Sequence, residues 1–185
     1  CPRWESGCGA CPHLFVYPAI PRDATAFNWR RKQGIYAESR LNLAAPSAWL
    51  VEQAQRSILR PASARVIHNG VDLEIFHPAD RSRARQELGL PDDALVLLFA
   101  AHKTRQSKFK DYTTIQDAIR RLAGELTARG QAPARPVFFV ALGGDASAEQ
   151  LGPLTVIHKP FQADPQRVAA HYQAADVFLH AAKAD

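Results

Sequence analysis

The sequence predicts an α/β fold with Rossmann-like parallel sheets, and two observations in its 185 residues support that prediction. Segments 95–101 and 137–142 are continuous apolar runs of strand length, which is typical of strands covered by helices on both faces. Capped helical segments alternate with these and with shorter strand-like runs through short loops, and such alternation favours a parallel sheet. The order strand, helix, strand occurs in both halves of the chain. We therefore expect two partial α/β domains.

In the first half, Asp23 is placed to cap a helix that runs to about residue 40. A short apolar strand at 41–45 follows and ends at a proline. Ser47 is a good N-cap for a helix at 48–59, whose apolar residues recur with helical spacing. This half therefore predicts a strand–helix–strand unit.

The segment that joins the two halves combines a strand, a turn and a helical stop. A β-branched strand at 65–68 runs into Asn69-Gly70, the residue pair that best tolerates left-handed backbone. Asp72 then occupies an N-cap position ahead of one helical turn, which Pro78 stops. We expect this segment to be the boundary between two domains.

The second half repeats the pattern with clearer punctuation. Asp80 is placed to cap a helix, and Gly89-Leu90-Pro91 predicts a Schellman stop in which Leu90 folds back on that helix. The predicted elements are helices at 81–88, 111–129 and 164–174 and strands at 95–101, 137–142, 155–158 and 177–179.

Composition narrows the class of partner. Hydrophobic content of 46% and charged content of 22% are ordinary for a soluble globular protein. No apolar run approaches the roughly 18–20 residues that a membrane-spanning helix needs. A net charge of +5 fits an anionic partner such as a phosphate-bearing ligand, an anionic lipid or a nucleic acid, and a merely soluble surface is the alternative. Nucleic acid has the least support, because the aromatic residues lie in apolar contexts without a stacking pattern.

The three cysteines all lie near the start of the chain. Cys8 and Cys11 have the spacing of a metal-binding turn, and Cys1 with His13 could complete a tetrahedral zinc site. A disulfide and plain reduced thiols are the alternatives. The pattern predicts a structural zinc site without excluding either.

A basic loop follows the first apolar strand of the second half. In an open parallel sheet, ligands bind at the carboxyl ends of the strands. The loop at 102–110 lies there, immediately before a predicted helix N-terminus, and it carries four cations: Lys103, Arg105, Lys108 and Lys110. Cations at the positive end of a helix favour a diphosphate, whereas a solvated basic loop is the alternative. Neither a dinucleotide fingerprint nor a P-loop is present.

Three further positions follow strands of the same predicted sheet. Gly143-Gly144 would let backbone approach a ligand closely, or would form an ordinary strand-to-helix turn. Lys159 follows the next strand. Asp185 follows the last one, where it is either a sugar-binding or catalytic carboxylate or a loop residue.

Taken together, these residues resemble the retaining GT-B glycosyltransferases of family 4, in particular those of the colanic-acid and exopolysaccharide type. The resemblance covers nearly the whole chain in order. The cysteine-rich element and the Asn-Gly-Val-Asp segment are its more specific parts. The matching segments are Cys1-Pro-Arg-Trp-Glu-Ser-Gly-Cys-Gly-Ala-Cys-Pro, Pro46-Ser-Ala-Trp-Leu with Ser57, Ile67-His-Asn-Gly-Val-Asp with Phe76-His-Pro, Ala84-Arg85 with Leu88-Gly-Leu-Pro, and Ala174-Ala-Asp-Val-Phe-Leu.

The resemblance implies a domain assignment. Residues 1–72 would be the C-terminal part of the acceptor domain, and residues 73–185 the first half of the nucleotide-sugar donor domain. Asn69-Gly70 would form the hinge between them.

The resemblance also implies roles for individual residues. Lys110 and Arg105 would hold the donor diphosphate, with Lys108 as a rival for the arginine's role. Asp185 would face the donor sugar as the first acid of the family's E-x7-E motif. One departure is Asp111, which stands where the family normally has glycine. The remaining donor-binding residues are expected to be Gly143 and Lys159.

The function that the resemblance implies is transfer of a sugar, with retained configuration, from a UDP- or GDP-linked donor to a glycan or lipid-linked acceptor in bacterial surface polysaccharide synthesis. No cofactor would be required, apart from the structural zinc. The location would be cytoplasmic, with peripheral association at the inner face of the membrane left open. Both chain ends look like interruptions, so we expect a piece of a longer polypeptide that is inactive by itself. A non-catalytic nucleotide- or phosphate-binding module is the alternative.

Overall fold

The computed structural model describes residues 1–101, 110–130, 132–145 and 147–182. The chain divides into two compact units, Cys1–Gly70 and Val71–Asp185. The observed boundary thus lies after residue 70, two residues before the boundary that the sequence predicted after residue 72. Assignment of the units to an acceptor and a donor domain stays a prediction.

The first unit is built on a strand–helix–strand motif. Strands β1 and β2 pair in parallel, with Asn42 opposite Ser63 and Ala45 opposite Val66. The elements are a 3-10 turn at Pro2–Trp4, α1 at Thr25–Glu38, β1 at Asn42–Ala45, α2 at Ala48–Arg56 and β2 at Ser63–Val66.

Helix α2 begins as predicted and ends earlier. The Ser47 hydroxyl accepts a hydrogen bond from the Leu50 amide at 3.3 Å, so Ser47 is the N-cap. The helix ends at Arg56 because the hydroxyl and the amide of Ser57 both turn back to the carbonyl of Ala54. Strand β2 also ends two residues earlier than predicted, although the Ile67 amide still donates to the carbonyl of Ala45.

The second unit carries a larger sheet with helices on both faces. Its described strands form the order β5-β6-β4-β3-β7, in which β5 is antiparallel to β6 and the other neighbours are parallel. The elements are α3 at Arg81–Leu88, β3 at Leu95–Ala100, α4 at Tyr112–Ala128, β4 at Val137–Leu142, β5 at Ser147–Leu151, β6 at Leu154–Lys159, α5 at Pro165–Ala174 and β7 at Val177–Phe178. The predicted fold class of α/β with parallel sheets is confirmed.

Strand β5 is an addition that the sequence did not predict. Its residues are mostly exposed, and its sequence has no apolar run. The alternation of apolar and polar residues that predicts a half-buried strand is therefore absent from this segment. It forms a hairpin with β6 and covers that edge of the sheet.

Two hydrophobic clusters lie on opposite faces of this sheet. On one face, Ile115, Ile119 and Ala123 of α4 recur every four residues and pack against Phe99 and Phe139. On the other face, residues of α3 and α5 pack against the alternate side chains of the same strands; the cluster comprises Ala84, Leu90, Ala94, Val96, Leu98, Val140 and Ala174. Strand residues therefore face both helical layers, which explains the continuous apolar runs.

The stop of α3 is the predicted Schellman motif. Gly89 has left-handed φ of 70°, and the Leu90 amide donates to the carbonyl of Arg85 at 2.9 Å. Leu90 is buried against the helix it follows. This prediction is confirmed.

A buried ion pair connects α3 to the strands. Arg85 is 2% exposed, and its Nη2 donates to Oδ2 of Asp176 at 2.7 Å. Its other donors bond the carbonyls of Ala174 and Asp92. The Asp176 carboxylate also accepts from the Val96 amide at 2.8 Å, so one pair joins α3, β3 and the connection into β7.

Replacement of Arg85 by alanine should destabilise the chain by about 3 kcal/mol, because it removes the buried partner of the Asp176 carboxylate and leaves that acid only the exposed Arg81, whose Nη1 is 2.9 Å from Oδ1. Arg83→Ala is the matched control, since Arg83 lies on the exposed side of the same helix and its pair with Glu87 is exposed. Urea denaturation measures both variants. Equal stability of the two variants would contradict this role for the pair.

Helices of the described residues fall short of the length and apolar content that crossing a membrane requires.

Candidate functional site

The order of the parallel strands creates a switch point in the second unit. From β3 the chain passes to β4 and β6 on one side and then returns to place β7 on the other side. In open α/β sheets of this kind, ligands bind at the carboxyl edge where the order reverses. In the described part of the chain, the segments that follow β4 and β6 and the start of α4 therefore define the candidate site.

Backbone hydrogen bonds join neighbouring strand ends at this edge. The Ala101 amide donates to the carbonyl of Leu142 at 3.0 Å. The amides of Gly143 and Gly144 both donate to the carbonyl of Lys159, at 2.9 and 3.2 Å. Two of the expected donor-binding residues, Gly143 and Lys159, are thus in direct contact.

This contact changes what Gly143 can offer a ligand. Its φ of 104° is left-handed, so a side chain would be strained there. Because the two glycine amides already donate to Lys159, they do not supply ready hydrogen-bond donors. Gly143 therefore allows a tight turn at the edge of the sheet and places no side chain there.

Lys110 lies at the start of α4, and the residue after it has an unusual backbone. Lys110 is exposed in the turn before the helix. Asp111 has left-handed φ and ψ of 43° and 53°, and its carboxylate accepts a hydrogen bond from the Thr114 hydroxyl at 2.8 Å. The left-handed geometry gives a physical reason for glycine at this position in the family that the sequence resembles. Arg105, Lys108 and Asp185, the other predicted site residues, lie outside the described residues.

A buried histidine that the sequence analysis missed lies beside Lys159. His158 is 5% exposed, and its Nε2 is 2.8 Å from the Tyr112 hydroxyl. Its Nδ1 is 3.0 Å from the Ser147 hydroxyl. The signal was present, because Leu154 and Val156 point into the core and strand alternation places His158 on the same side.

Lys159 itself faces the opposite side of the sheet. It lines a cavity of about 490 Å³ that α3 and α5 form with the segment between β6 and α5. The lining includes Gln162, Arg167 and His171. The structure thus places Lys159 near the edge of the sheet, with its side chain towards α5 rather than α4.

His171 is a second buried histidine, in the last turn of α5. Its Nδ1 is 2.7 Å from the carbonyl of Arg167, which can only accept, so Nδ1 carries the proton. Its Nε2 is buried and has no hydrogen-bond partner within the described part of the chain. Burial, assisted by the charge of Lys159, holds the pKa of His171 below its ordinary value.

The predicted hinge residues have ordinary backbone conformations. Asn69 and Gly70 are exposed, and neither has the left-handed φ that the sequence analysis expected of them. A β-carbon added at Gly70 would meet no heavy atom within 4 Å. The expectation of a left-handed turn is therefore wrong, because the chain continues past β2 without reversing at that pair. The hinge itself stays a prediction.

The cysteines do not form a ligand set in the structure. Cys1, Cys8 and Cys11 are free thiols. No group of three or more His, Cys, Asp or Glu side chains in the described ranges is placed to hold a metal ion. The structural zinc site stays a prediction. The segment is held by Arg3, whose guanidinium donates to the carbonyls of Gly9 and Ala10, and by the Cys11 amide, which donates to Asp23.

Comparison with known proteins identifies relatives among glycosyltransferases. The chain is 32% identical over 129 residues to D-inositol 3-phosphate glycosyltransferase 2 of Catenulispora acidiphila, covering 63% of this chain and 29% of that protein. It is 62% identical over 40 residues to D-inositol 3-phosphate glycosyltransferase of Nocardioides sp., covering 22% of this chain and 9% of that protein. A further match, to D-inositol 3-phosphate glycosyltransferase 1 of Catenulispora acidiphila, is 56% identical over 45 residues.

These matches support the transferase class and leave the finer assignment open. The chain spans less than a third of the length of each of these relatives, at 9%, 11% and 29%. No protein-family model matches the chain.

The stability of the chain should decrease as the pH decreases, because of His171. The unfolded chain takes up a proton on this histidine near a pH of about 6.5, whereas the folded chain does so only at lower pH. The stabilisation is therefore complete above that pH and is lost as the pH falls towards the lower folded pKa. Urea denaturation of the chain and of His171→Gln between neutral and mildly acidic pH measures the difference. An identical pH dependence in both proteins would contradict the assignment.

Proposed function

We propose that the chain is part of a GT-B glycosyltransferase that uses a nucleotide-diphosphate sugar as donor. The observation that carries the proposal is the switch point between β3 and β7, at whose edge α4 begins directly beyond Lys110 and Asp111. A helix N-terminus carries the positive end of a dipole, and an adjacent lysine adds a full charge. This combination suits a diphosphate. The named transferase relatives support the same class.

The proposed reaction is transfer of the sugar from the diphosphate to an acceptor hydroxyl. The bond between the anomeric carbon and the leaving phosphate oxygen breaks, a bond to the acceptor oxygen forms, and the proton of the acceptor hydroxyl passes to the leaving phosphate oxygen. Negative charge develops on the leaving diphosphate, where Lys110 and Arg105 would stabilise it. Lys108 is the alternative to Arg105, and two cations of this kind would make a metal ion unnecessary. Retention of configuration, with Asp185 facing the donor sugar, is the remaining part of the proposal.

For the acceptor, the relatives favour a different class from the one implied by the sequence resemblance. They are named for D-inositol 3-phosphate rather than for a glycan or lipid-linked acceptor of surface polysaccharide synthesis. We therefore favour a phosphorylated polyol as the acceptor. UDP and GDP stay equally open as the donor's nucleotide, and a cytoplasmic location is part of the same proposal.

Removal of the Lys110 charge should weaken nucleotide binding. Lys110→Ala is expected to lower the affinity for UDP or GDP about tenfold, since a hydrogen bond to a charged group contributes about 1.5–3 kcal/mol. Isothermal titration calorimetry of the full-length polypeptide with both nucleotides measures the effect. Lys32→Ala is the matched control, because Lys32 is an exposed lysine of the first unit, on α1.

The outcomes of that titration separate cleanly. Weaker binding in Lys110→Ala alone supports the proposed site. Absence of binding of either nucleotide to the unsubstituted full-length polypeptide overturns the donor proposal. Equal affinity in both variants moves the diphosphate away from the start of α4.

Replacement of Asp111 by glycine should raise the nucleotide affinity about threefold. The substitution removes a carboxylate beside the proposed diphosphate and suits the left-handed backbone. Asp111→Asn separates the charge from the backbone effect, and Asp117→Asn removes an equal charge further along the exposed side of α4. If Asp111→Gly binds no more tightly than Asp117→Asn, the carboxylate does not act on the nucleotide.

A further inference from the structure

His158 connects two elements that meet at the proposed site. It is the residue before Lys159 at the end of β6, and its two ring nitrogens contact hydroxyls on different elements. Nε2 lies 2.8 Å from the hydroxyl of Tyr112, the first residue of α4. Nδ1 lies 3.0 Å from the hydroxyl of Ser147, the first residue of β5.

Tyr112 is held on both sides of its ring. It is 5% exposed, and its ring centroid is 5.2 Å from that of Phe99 in β3. The His158 ring meets it edge-on at 6.3 Å with an interplanar angle of 77°. Packing of Ile115, Ile119 and Ala123 on the sheet holds the body of α4. The hydrogen bond to His158 adds a directional contact at the first residue of the helix.

The hydrogen-bond chemistry makes His158 a two-sided link. A neutral imidazole has one nitrogen that donates and one that accepts, whereas a hydroxyl can do either. Both hydroxyls can therefore be satisfied at once, whichever nitrogen carries the proton. A buried polar group of this kind has a strong preference for one geometry, because a lost partner costs about 1–3 kcal/mol.

We infer that His158 is a positioning residue, which acts through Tyr112 to set the start of α4, and with it Lys110, at the carboxyl edge. The inference rests on the proposed function, because it assigns that placement to nucleotide-diphosphate binding. Contacts of helix amides and a lysine with a diphosphate are sensitive to shifts of about 1 Å. A helix start that is free to shift would bind the nucleotide less tightly even in a folded chain.

The two ring nitrogens allow a sharp test, because different amides replace each of them. The terminal group of glutamine reaches the position of Nε2, so His158→Gln retains the bond to Tyr112 and loses the bond to Ser147. The shorter asparagine reaches the position of Nδ1, so His158→Asn retains the bond to Ser147 and loses the bond to Tyr112. Each variant loses one hydrogen bond of the buried imidazole. The bond to Tyr112 is buried and the bond to Ser147 is partly buried, so the stability of His158→Asn should be lowered somewhat more than that of His158→Gln.

Two measurements on the full-length polypeptide report the position of α4. The first is the affinity for UDP and GDP by calorimetry, which should fall about fivefold or more in His158→Asn and stay within about twofold in His158→Gln. The second is amide hydrogen exchange in the first turn of α4, which should accelerate in His158→Asn and not in His158→Gln. Tyr112→Phe should reproduce the behaviour of His158→Asn in both measurements.

The results distinguish this inference from the proposed function. If the unsubstituted full-length polypeptide binds neither nucleotide, the proposed function fails, and exchange in the first turn of α4 then decides whether His158 positions that helix. If the nucleotide binds and both variants lose affinity only in proportion to their stability, His158 is merely structural and the inference is overturned. Loss of affinity and faster exchange confined to His158→Asn and Tyr112→Phe support it.

Discussion

The ion pair between Arg85 and Asp176 is the interaction on which the architecture of the second unit depends. Asp176 accepts from the Val96 amide while its own amide donates to the carbonyl of Val96 at 2.9 Å. These bonds fix β7 beside β3 in the register that places Val177 opposite Leu97. Arg85 supplies the counter-charge from α3, so the acid can lie in a largely buried position. Without β7 in this position, the strand order would not reverse at β3 and the sheet would have no switch point.

At the carboxyl edge, neighbouring residues of one strand contact helices on opposite faces of the sheet. His158 and Lys159 are adjacent, but strand alternation turns His158 towards α4 and Lys159 towards α5. The backbone of Lys159 meanwhile holds the turn at Gly143 and Gly144. The edge is therefore shaped largely by internal hydrogen bonds.

Capping residues and glycines predicted those helix ends that are set by neighbouring residues in the sequence. The bounds of α3 and its stop at Gly89 follow from a capping aspartate and a left-handed glycine, and both were predicted from the sequence. Features that depend on a partner strand were not predicted. Strand β5 has no apolar run and forms by pairing with the edge of β6. Strand β2 lies two residues earlier than predicted, because its position follows from its pairing with β1. Asn69-Gly70 permits a left-handed turn, but a permitted conformation is adopted only when the surrounding chain requires it.

The sequence by itself determined the fold class, the alternation of strands and helices, and the end of the sheet at which a ligand would bind. These follow from hydrophobic periodicity and from capping residues, which act over a few positions along the chain. Only the tertiary structure decided that Arg85 pairs with Asp176, that His158 joins Tyr112 to Ser147, and that Asp111 adopts the backbone of a glycine. The physical reason is that each depends on a partner or a backbone geometry that packing supplies, and a single sequence carries no distance between residues that lie up to 91 positions apart.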